Sequence, residues 1–302
     1  MPGDLFALIT NKTKMILIAD GGSTKCDWIL LDRQGEVVFK TRTEGLNPAV
    51  FAQSLLEERI RQNQELTEYK DTVEAVHFYG AGCGTEKPRK LLEGVFEAFF
   101  TKAEVIVKED MVAAVYAATT EPGIVCILGT GSNSCYFDGD DIHMAVDSLG
   151  YILMDEASGN YFGKRLIRDF YYKRMPPEIA EEFGKRFDLS SDTIKENLYK
   201  KPNPNTYLAS FAEFIFTSER NGYFYKIITE GIQEFVENRV LCFPEAQSVP
   251  IHFIGSIAHF SEDIIRAAVW PYHLTVGNII RRPIDGIIDY YRNEVIKVKS
   301  ED

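Results

Sequence analysis

The chain has 302 residues, of which 45% are hydrophobic, and it carries a formal net charge of −12. This length is typical of two domains, and the composition supplies enough apolar residues for two packed cores. A strongly negative chain is repelled by nucleic acid backbones and anionic lipid surfaces, so we expect neither a nucleic acid nor a membrane as partner. Small metabolites are the expected ligands.

Five cysteines, at positions 26, 83, 126, 135 and 242, show no CxxC or other metal-binding spacing. We interpret them as reduced thiols, which favours a cytoplasmic protein. No apolar run approaches the roughly 18 residues of a membrane span, and the first residues lack the features of a signal peptide. We expect residues 1–14 to form a flexible extension ahead of the first domain.

A glycine turn between two strand-like runs, residues 16–31, is the first stretch that suggests function. The run from Met15 to Ala19 is continuously apolar, as in a buried strand, and Asp20 precedes the turn. Backbone N–H groups and hydroxyls in such a turn suit phosphate oxygens, and Asp20 could hold a magnesium ion. The turn residues are Gly21, Gly22, Ser23, Thr24 and Lys25. An ordinary Gly-Gly hairpin with a solvated aspartate fits the same pattern.

The next elements complete an antiparallel meander with a strand at 37–41, followed by a helix over 49–61. Asn47 lies in the loop between them. It is either the N-cap of this helix, with Pro48 in the first turn, or a ligand for a substrate hydroxyl.

Alternation of strands and helices then predicts parallel additions to the meander: a strand at 75–79, a glycine-rich turn at 80–84, a helix over 88–100 and a strand at 104–107. Asp110 follows this last strand and opens a helix over 111–119. Aspartate is common at helix starts, so its position alone is unremarkable. A carboxylate at a strand end beside a phosphate turn could also accept the proton of an attacking hydroxyl.

A second hairpin follows 109 positions after the first. The apolar run 124–128 leads into Gly129, Thr130, Gly131, Ser132 and Asn133. Placing Gly22-Ser23 on Gly131-Ser132 also places Cys26 on Cys135 and Trp28 on Phe137, which predicts an internal duplication. Two such hairpins facing a cleft would bind a polyphosphate from both sides. No Walker-type loop is present in the sequence.

The remaining residues predict a strand at 142–146, a helix from about 159 to 172 in which Asp155-Glu156 could act as cap, and a helical insertion at about 174–238. A strand at 250–254 ends in Gly255, Ser256 and Ala258, whose small size lets a flat ring approach the backbone. A last strand near 273–276 and a terminal helix to about 298 follow, with Gly286 between them.

Together these motifs resemble the BadF/BadG/BcrA/BcrD ATPase family, and within it the N-acetylglucosamine kinase-like branch of the actin-like ATPase superfamily. The matching pieces are Asp20 to Lys25, Gly45-Leu46-Asn47, Asp110 with Ala113-Ala114, Gly129 to Asn133, Gly150, Asp155 to Gly159, and Gly255 to Ala258. They follow one another in the order of the family and span positions 16 to about 290.

The resemblance implies an α/β protein of two RNase H-like domains, residues 15–119 and 120–302, closing on ATP and an amino sugar across a central cleft. It implies Asp110 as the base, magnesium at Asp20, and both hairpins on the phosphates. The sugar would contact Asn47, Gly82, Asn133, Gly150 and Asp155. Adenosine would lie on Gly255, Ser256, Ala258 and Gly286. A homodimer is also expected, and the last helix could return to the first domain.

The sequence departs from the family near the sugar site. The family shows Gly-Gly-Trp-Gly and Gly-Asp-Glu-Gly-Ser, whereas this chain has Ser148-Leu149-Gly150-Tyr151 and Met154-Asp155-Glu156-Ala157-Ser158. The substrate predicted is N-acetylglucosamine or a relative such as glucosamine or N-acetylmuramic acid. Two alternatives stay open: an ATPase activator carrying an iron–sulfur cluster between subunits, and a sugar sensor without activity.

Overall fold

A computed structural model describes residues 14–296 of the chain, without the side chain of Glu294. The predicted extension therefore lies outside the described residues, apart from Lys14, whose ammonium pairs with Glu104 at 2.9 Å. Contacts within the described residues define two units. The first comprises residues 14–120, 139–141 and 282–296, and the second comprises residues 121–138 and 142–281.

The first unit is a five-stranded mixed sheet in the order β3-β2-β1-β4-β5. Its strands are β1 (Ile16–Gly21), β2 (Lys25–Leu31), β3 (Val37–Glu44), β4 (Ala75–Gly80) and β5 (Glu104–Glu109). β1 is central because its residues 16–19 are all buried. It pairs antiparallel with β2 and parallel with β4, so the carboxyl ends of β1, β4 and β5 lie at one edge of the sheet.

Helices α1 (Gln53–Arg61), α2 (Gln64–Tyr69), α3 (Glu86–Phe99) and α4 (Asp110–Ala118) connect and cover these strands. The core beneath α1 to α3 includes Trp28, whose ring meets Phe96 edge-on at 5.8 Å. α1 begins four residues later than the sequence predicted, because its N-cap is Ala52. The N-cap interpretation of Asn47 is therefore wrong.

The second unit repeats the strand order of the first. Its strands are β6 (Gly123–Leu128), β7 (Ser132–Phe137), β8 (Ile142–His143), β9 (Ile251–Ile254) and β10 (Val276–Ile280), arranged β10-β9-β6-β7-β8. β6 pairs antiparallel with β7 and parallel with β9, as β1 does with β2 and β4. β8 is shorter than predicted. β10 starts later than predicted because His273 adopts a left-handed conformation, φ 57°.

The helices of the second unit form the insertion between β8 and β9 and the connection after β9. They are α5 (Gly159–Tyr171), α6 (Pro177–Arg186), α7 (Ser191–Tyr199), α8 (Pro204–Thr217), α9 (Gly222–Phe235), α10 (Ser256–Phe260) and α11 (Glu262–Val269). Aromatic residues of the insertion line the core of the second unit: Phe183 contacts Phe211 and Phe214 with ring centres 5.9 and 5.0 Å apart. Tyr225, by contrast, is exposed. A π-helical turn, Val236–Val240, continues α9.

The last helix, α12 (Pro283–Tyr290), belongs to the first unit and packs against α4. Tyr290 stacks on Tyr116 at 4.2 Å between ring centres, and the hydroxyl of Tyr291 lies 2.7 Å from that of Tyr79. Both units are thus mixed α/β sheets with one strand order, and the second carries a helical insertion; this confirms the predicted fold class. Within residues 14–296, no helix is long and apolar enough to cross a membrane.

Candidate active site

The first hairpin joins β1 to β2 through residues 22–25, between the paired residues Gly21 and Cys26. Gly22 N–H donates to the Lys25 carbonyl at 2.8 Å, which closes the turn. The loop after β3 supports the turn from behind, since Gly45 N–H donates to the Thr24 carbonyl at 3.0 Å. Thr24 and Lys25 are exposed, so their polar groups can reach a ligand.

Asn47 belongs to this hairpin cluster. Its side-chain amide donates to Ser23 Oγ at 2.8 Å, and its carbonyl oxygen accepts from Ala49 N–H at 2.9 Å. Gly82, at φ +81°, passes so close that any side chain there would collide with the Asn47 amide. The structure therefore brings together three residues that the sequence assigned to a ligand: Ser23, Asn47 and Gly82.

Two carboxylates influence each other electrostatically near the end of β1. Asp20 is half-buried in β1, and Asp110 is the first residue of α4. Burial raises the pKa of Asp20 to about 7, and the negative charges of Asp110 and Asp27 add to this effect while Lys25 opposes it. The repulsion between the two carboxylates therefore favours the protonated form of Asp20.

The cysteines of the first unit lie beside this site but in the core. Cys26 and Cys83 are both buried. Burial, with a smaller contribution from Asp110 and Glu109, raises the pKa of Cys83 to about 12. A thiol with such a pKa stays protonated near neutral pH and is a poor nucleophile. In the second unit Cys126 and Cys135 are buried in strands, and Cys242 is half-buried.

The second hairpin joins β6 to β7 through residues 129–131, between the paired residues Leu128 and Ser132. The start of α5 holds it: Gly159 N–H donates to the Gly129 carbonyl at 2.8 Å, and Asn160 N–H to the Thr130 carbonyl at 3.0 Å. Thr130 is exposed. Ser132 Oγ is buried and has no hydrogen-bond partner within residues 14–296, which leaves a hydroxyl free beside the turn.

Asp155 approaches this second turn. Its carboxylate accepts from the side-chain amide of Asn160 at 2.8 Å and from the backbone N–H of Ser132. A side chain at Gly131 would begin 2.8 Å from that carboxylate, so the glycine makes room for it. Burial raises the pKa of Asp155 and outweighs these hydrogen bonds and the charge of Arg239, all of which lower it.

The residues around Asp155 adopt unusual backbone conformations. Asp155 and Ala157 are left-handed, at φ 71° and 56°. Position 157 is where the family motif carries glycine, and a non-glycine residue there costs about 1–2 kcal/mol. The methyl group of Ala157 is fully buried and offsets about 0.8 kcal/mol of this cost. The side chain that caps α5 is Ser158, which accepts from Tyr161 N–H at 3.2 Å; the capping role considered for Asp155-Glu156 is wrong.

The other predicted sugar residues of the second unit lie near this region. Asn133 is the second residue of β7, and its side-chain carbonyl accepts from Ser134 N–H at 3.0 Å. Gly150, at φ +78°, lies in a turn closed by Met154 N–H donating to its carbonyl at 2.9 Å.

The predicted adenosine residues belong to different units. Gly255, at φ +121°, precedes α10, where Ser256 is exposed and Ala258 is buried. Gly286 lies in α12 of the first unit, and its Cα faces Ala117 of α4. Close helix packing explains this glycine, and its contact with adenosine stays a prediction.

Strand pairing corrects the residue alignment of the duplication. The first turn has its paired ends at Gly21 and Cys26, and the second at Leu128 and Ser132, so Cys26 corresponds to Ser132. Cys26 packs in the core of its unit, whereas Cys135 is buried outside the main core of the second. The predicted match of Cys26 with Cys135 is therefore wrong by three residues.

Two residues near Asp155 escaped sequence reasoning. Asn160 follows the Ser-Gly of the helix start and carried no recognised signal. Arg239 lies far along the chain, in the helical insertion, where its neighbours in sequence are ordinary helix residues.

Comparison with known proteins identifies first the fold and then the family. Three solved structures share the fold across nearly the whole chain. A protein of Porphyromonas gingivalis has a TM-score of 0.86 and 34% identity, with 93% of this chain and 99% of that chain covered. One of Chromobacterium violaceum has a TM-score of 0.70 and 14% identity, with 92% and 98% covered. Both carry the name “putative N-acetylglucosamine kinase”.

The third is a ROK family glucokinase of Streptomyces griseus in complex with glucose and AMPPNP, with a TM-score of 0.56, 14% identity, and 91% and 97% of the two chains covered. The chain thus has the fold of the actin-like sugar kinases. The BadF/BadG/BcrA/BcrD ATPase family matches residues 19–266, and the chain belongs to this family. No curated protein matches it.

Proposed function

We propose that this protein is an ATP-dependent kinase of an amino sugar, N-acetylglucosamine or a close relative. The observation that carries the proposal is the pair of carboxylates, Asp20 and Asp110, beside a glycine hairpin in which Thr24 and Lys25 are exposed. A relative with 34% identity over nearly the full length carries the name of an N-acetylglucosamine kinase, which supports the substrate class.

In this proposal the turns of the two hairpins bind phosphate oxygens. Backbone N–H groups, hydroxyls and an ammonium group are the donors that phosphate prefers. Thr24 and Lys25 in the first turn and Thr130 in the second are exposed and carry such groups. The orphan hydroxyl of Ser132 adds one buried donor.

Asp20 is the proposed magnesium ligand. Within residues 14–296, no three His, Cys, Asp or Glu side chains lie close enough to form a metal cage. A single carboxylate fits magnesium all the same, because this ion usually binds one or two carboxylates, phosphate oxygens and several waters. When bound with ATP it would neutralise negative charge on the phosphates. The raised pKa of Asp20 means that binding releases a proton near neutral pH.

Asp110 is the proposed general base. As the acceptor hydroxyl attacks the terminal phosphorus in line with the leaving oxygen, its proton passes to the Asp110 carboxylate. As the first residue of α4, Asp110 has its carboxylate on a rigid element.

Sugar hydroxyls are assigned to Asn47, Asn133 and Asp155. Asn47 offers an amide already oriented by Ser23 and Ala49, with Gly82 leaving space beside it. Asp155 is largely buried and held by Asn160, which suits a carboxylate that accepts from a hydroxyl in a fixed direction.

The test is an ADP-release screen with magnesium and ATP across amino sugars and simple hexoses, with the phosphorylated product identified by mass and NMR. Turnover with N-acetylglucosamine or a relative supports the proposal, and Asp110→Asn serves as the inactive control. No turnover with any amino sugar contradicts it. An iron–sulfur chromophore in protein purified without oxygen would instead favour the electron-activating ATPases of the same family.

A further inference from the structure

Arg239 is a fully buried cation with no role in the proposed chemistry. It lies in the π-helical turn after α9, and its residue is 1% exposed. Its carbonyl oxygen accepts a hydrogen bond from Ser134 Oγ at 2.6 Å. The backbone of Arg239 is therefore fixed to β7, the strand that leaves the second hairpin. π-helical turns inside helices often occur at functional sites.

The side chain of Arg239 reaches one segment, residues 146–156, at three points. Nη1 donates to the Val146 carbonyl at 3.2 Å, and Nη2 contacts the Met154 sulfur at 3.1 Å. Nε lies 3.6 Å from the Glu156 carboxylate. One planar group thus joins both ends of segment 146–156, which contains Gly150 and Asp155.

The ion pair between Arg239 and Glu156 is expected to add little to the stability of the fold. A buried ion pair recovers its desolvation cost only with close geometry and a full set of hydrogen bonds. The Glu156 carboxylate is 3.6 Å away, and its Oε2 makes no hydrogen bond within residues 14–296. Because the guanidinium instead contacts the Val146 carbonyl and the Met154 sulfur, its main effect is to fix the path of segment 146–156.

The loop needs such fixing because its own backbone does not favour the observed path. Asp155 and Ala157 are both left-handed. Such conformations persist only when the surroundings determine them. Lys164 of α5 adds one further support, donating to the Tyr151 carbonyl at 2.6 Å.

We propose that Arg239 is the positioning residue of the sugar site: it ties segment 146–156 to β7, so that the Asp155 carboxylate is held at the second hairpin. This inference rests on the proposed function for the identity of the ligand. Arg239 does not touch the substrate; it acts through Asp155 and the backbone of the segment.

The pH at which Asp155 is protonated distinguishes a positioning role of Arg239 from a merely structural one, because this pH depends on the charges around Asp155. Arg239 and Lys164 are the cations that interact with it, and Glu156 is the anion, with Asn160 and the Ser132 N–H as neutral donors. Removing the charge of Arg239 should move the protonation of Asp155 to higher pH. A lysine at this position keeps the charge but loses the three-point contact.

The experiment compares Arg239→Met, Arg239→Lys and the double variant Glu156→Gln/Arg239→Met, which leaves no unpaired buried charge if the single variant fails to fold. Arg165→Met is the matched control. Arg165 is an arginine of the same unit that pairs with Asp169 at 2.9 Å and Glu230 at 3.1 Å. Steady-state kinetics with the sugar found in the screen, sugar binding from pH 5 to 8, and amide hydrogen exchange are measured for each.

For Arg239→Met and for the double variant we expect kcat/KM for the sugar to fall on the order of 100-fold, mainly through KM, with the KM for ATP within about twofold. The acid limb of sugar binding should move up by about one pH unit in Arg239→Met and stay unchanged in Arg239→Lys. It should move less in the double variant, because the charge of Glu156, which raises the pKa of Asp155, is removed as well. Exchange should rise in residues 146–156. Arg165→Met should alter none of these, although it lowers the melting temperature.

An unchanged sugar KM in folded variants, or equal effects on sugar and ATP, would overturn the inference while leaving the kinase intact. If the wild-type protein phosphorylates no sugar, the proposed function fails separately. Hydrogen exchange then still decides the role of Arg239, because unchanged exchange in segment 146–156 would refute its positioning role in any reaction.

Discussion

Replacing Asp20 by asparagine should make the protein more stable at alkaline pH. The side chain keeps its shape but can no longer ionise. Burial and the charges of Asp110 and Asp27 raise the pKa of Asp20 from its ordinary value of 3.8 to about 7. In the folded wild type, ionisation of Asp20 at alkaline pH therefore costs free energy, whereas the asparagine of the variant does not ionise.

The magnitude follows from the two pKa values. Below pH 3.8 the carboxyl is protonated in both folded and unfolded chains, and wild type and variant should be equally stable. Between pH 3.8 and about 7 only the folded chain holds the proton. The free energy of unfolding of the wild type therefore falls progressively as the pH rises, whereas that of the variant does not change through this group. A difference of about three between the pKa values corresponds to about 4 kcal/mol, and solvent at this half-buried position reduces it to about 2–4 kcal/mol.

The assay is urea denaturation from pH 5 to 8.5 with EDTA present, so that no bound cation compensates the charge. Asp27→Asn is a matched control of opposite sign. Although burial acts to raise the pKa of Asp27, hydrogen bonds and charges from Arg42 and Lys25 lower it overall. That variant should be less stable than wild type near neutral pH, and the difference should disappear in acid.

A second measurement separates stability from function. Magnesium with a non-hydrolysable ATP analogue should raise the melting temperature of the wild type and do so much less for Asp20→Asn. If the variant is no more stable than wild type at pH 8, or if the gain is the same at pH 5, the electrostatic account of Asp20 is refuted.

Three further results are expected. Asp110→Asn should lower kcat by about 100- to 10,000-fold with the affinity for nucleotide nearly unchanged, since an amide cannot accept the proton; calorimetry and steady-state kinetics check this, and wild-type turnover would refute the assignment. Gly82→Ala should cost about 1–2 kcal/mol in urea denaturation because of its left-handed backbone, and should raise the KM for the sugar by displacing Asn47. His252 is buried, which lowers its pKa, and it accepts from Asn278 N–H at 3.0 Å. Stability should therefore fall as the pH drops below about 6.5, and His252→Gln, which can still accept this bond, should flatten that loss in denaturation between pH 5 and 7; an equal loss in both would contradict it.

Much of the fold could be predicted because most strands have a recognisable local sequence pattern. Buried apolar runs such as Ile16–Gly21 and Gly123–Leu128, each followed by a glycine turn, gave the strands and their hairpins. Helix starts were harder. The pattern before α1 is helical in period, but the backbone of residues 48–51 forms a turn and the helix begins at Gln53. Periodicity reports which residues are buried and not where the first hydrogen bond forms.

The candidate site was predictable only where its residues are close in sequence. Ser23, Thr24 and Lys25 share one turn, so their proximity needed no tertiary information. Arg239 contacts Met154 from 85 positions away, and no local pattern specifies that contact. Asp155 approaches Gly131 from a segment with two left-handed residues, at positions 155 and 157. Neither position is a glycine, so nothing in the sequence indicates these conformations.

The two hairpins show how far a duplication extends. Their sheets share one strand order, so the duplication holds for topology. Pairing aligns Gly21 with Leu128, and Asp20 then corresponds to Ile127, which has no carboxylate. The second turn receives its carboxylate from Asp155 instead, through the space left by Gly131. Each turn therefore has a carboxylate nearby, but one comes from the strand itself and the other from a separate loop fixed by Arg239. Because the supports differ, the second carboxylate can change its position without altering the strand that carries the turn. In the proposed kinase, sequence changes in this loop would alter the sugar site without altering β7, whereas the position of Asp20 is determined by β1.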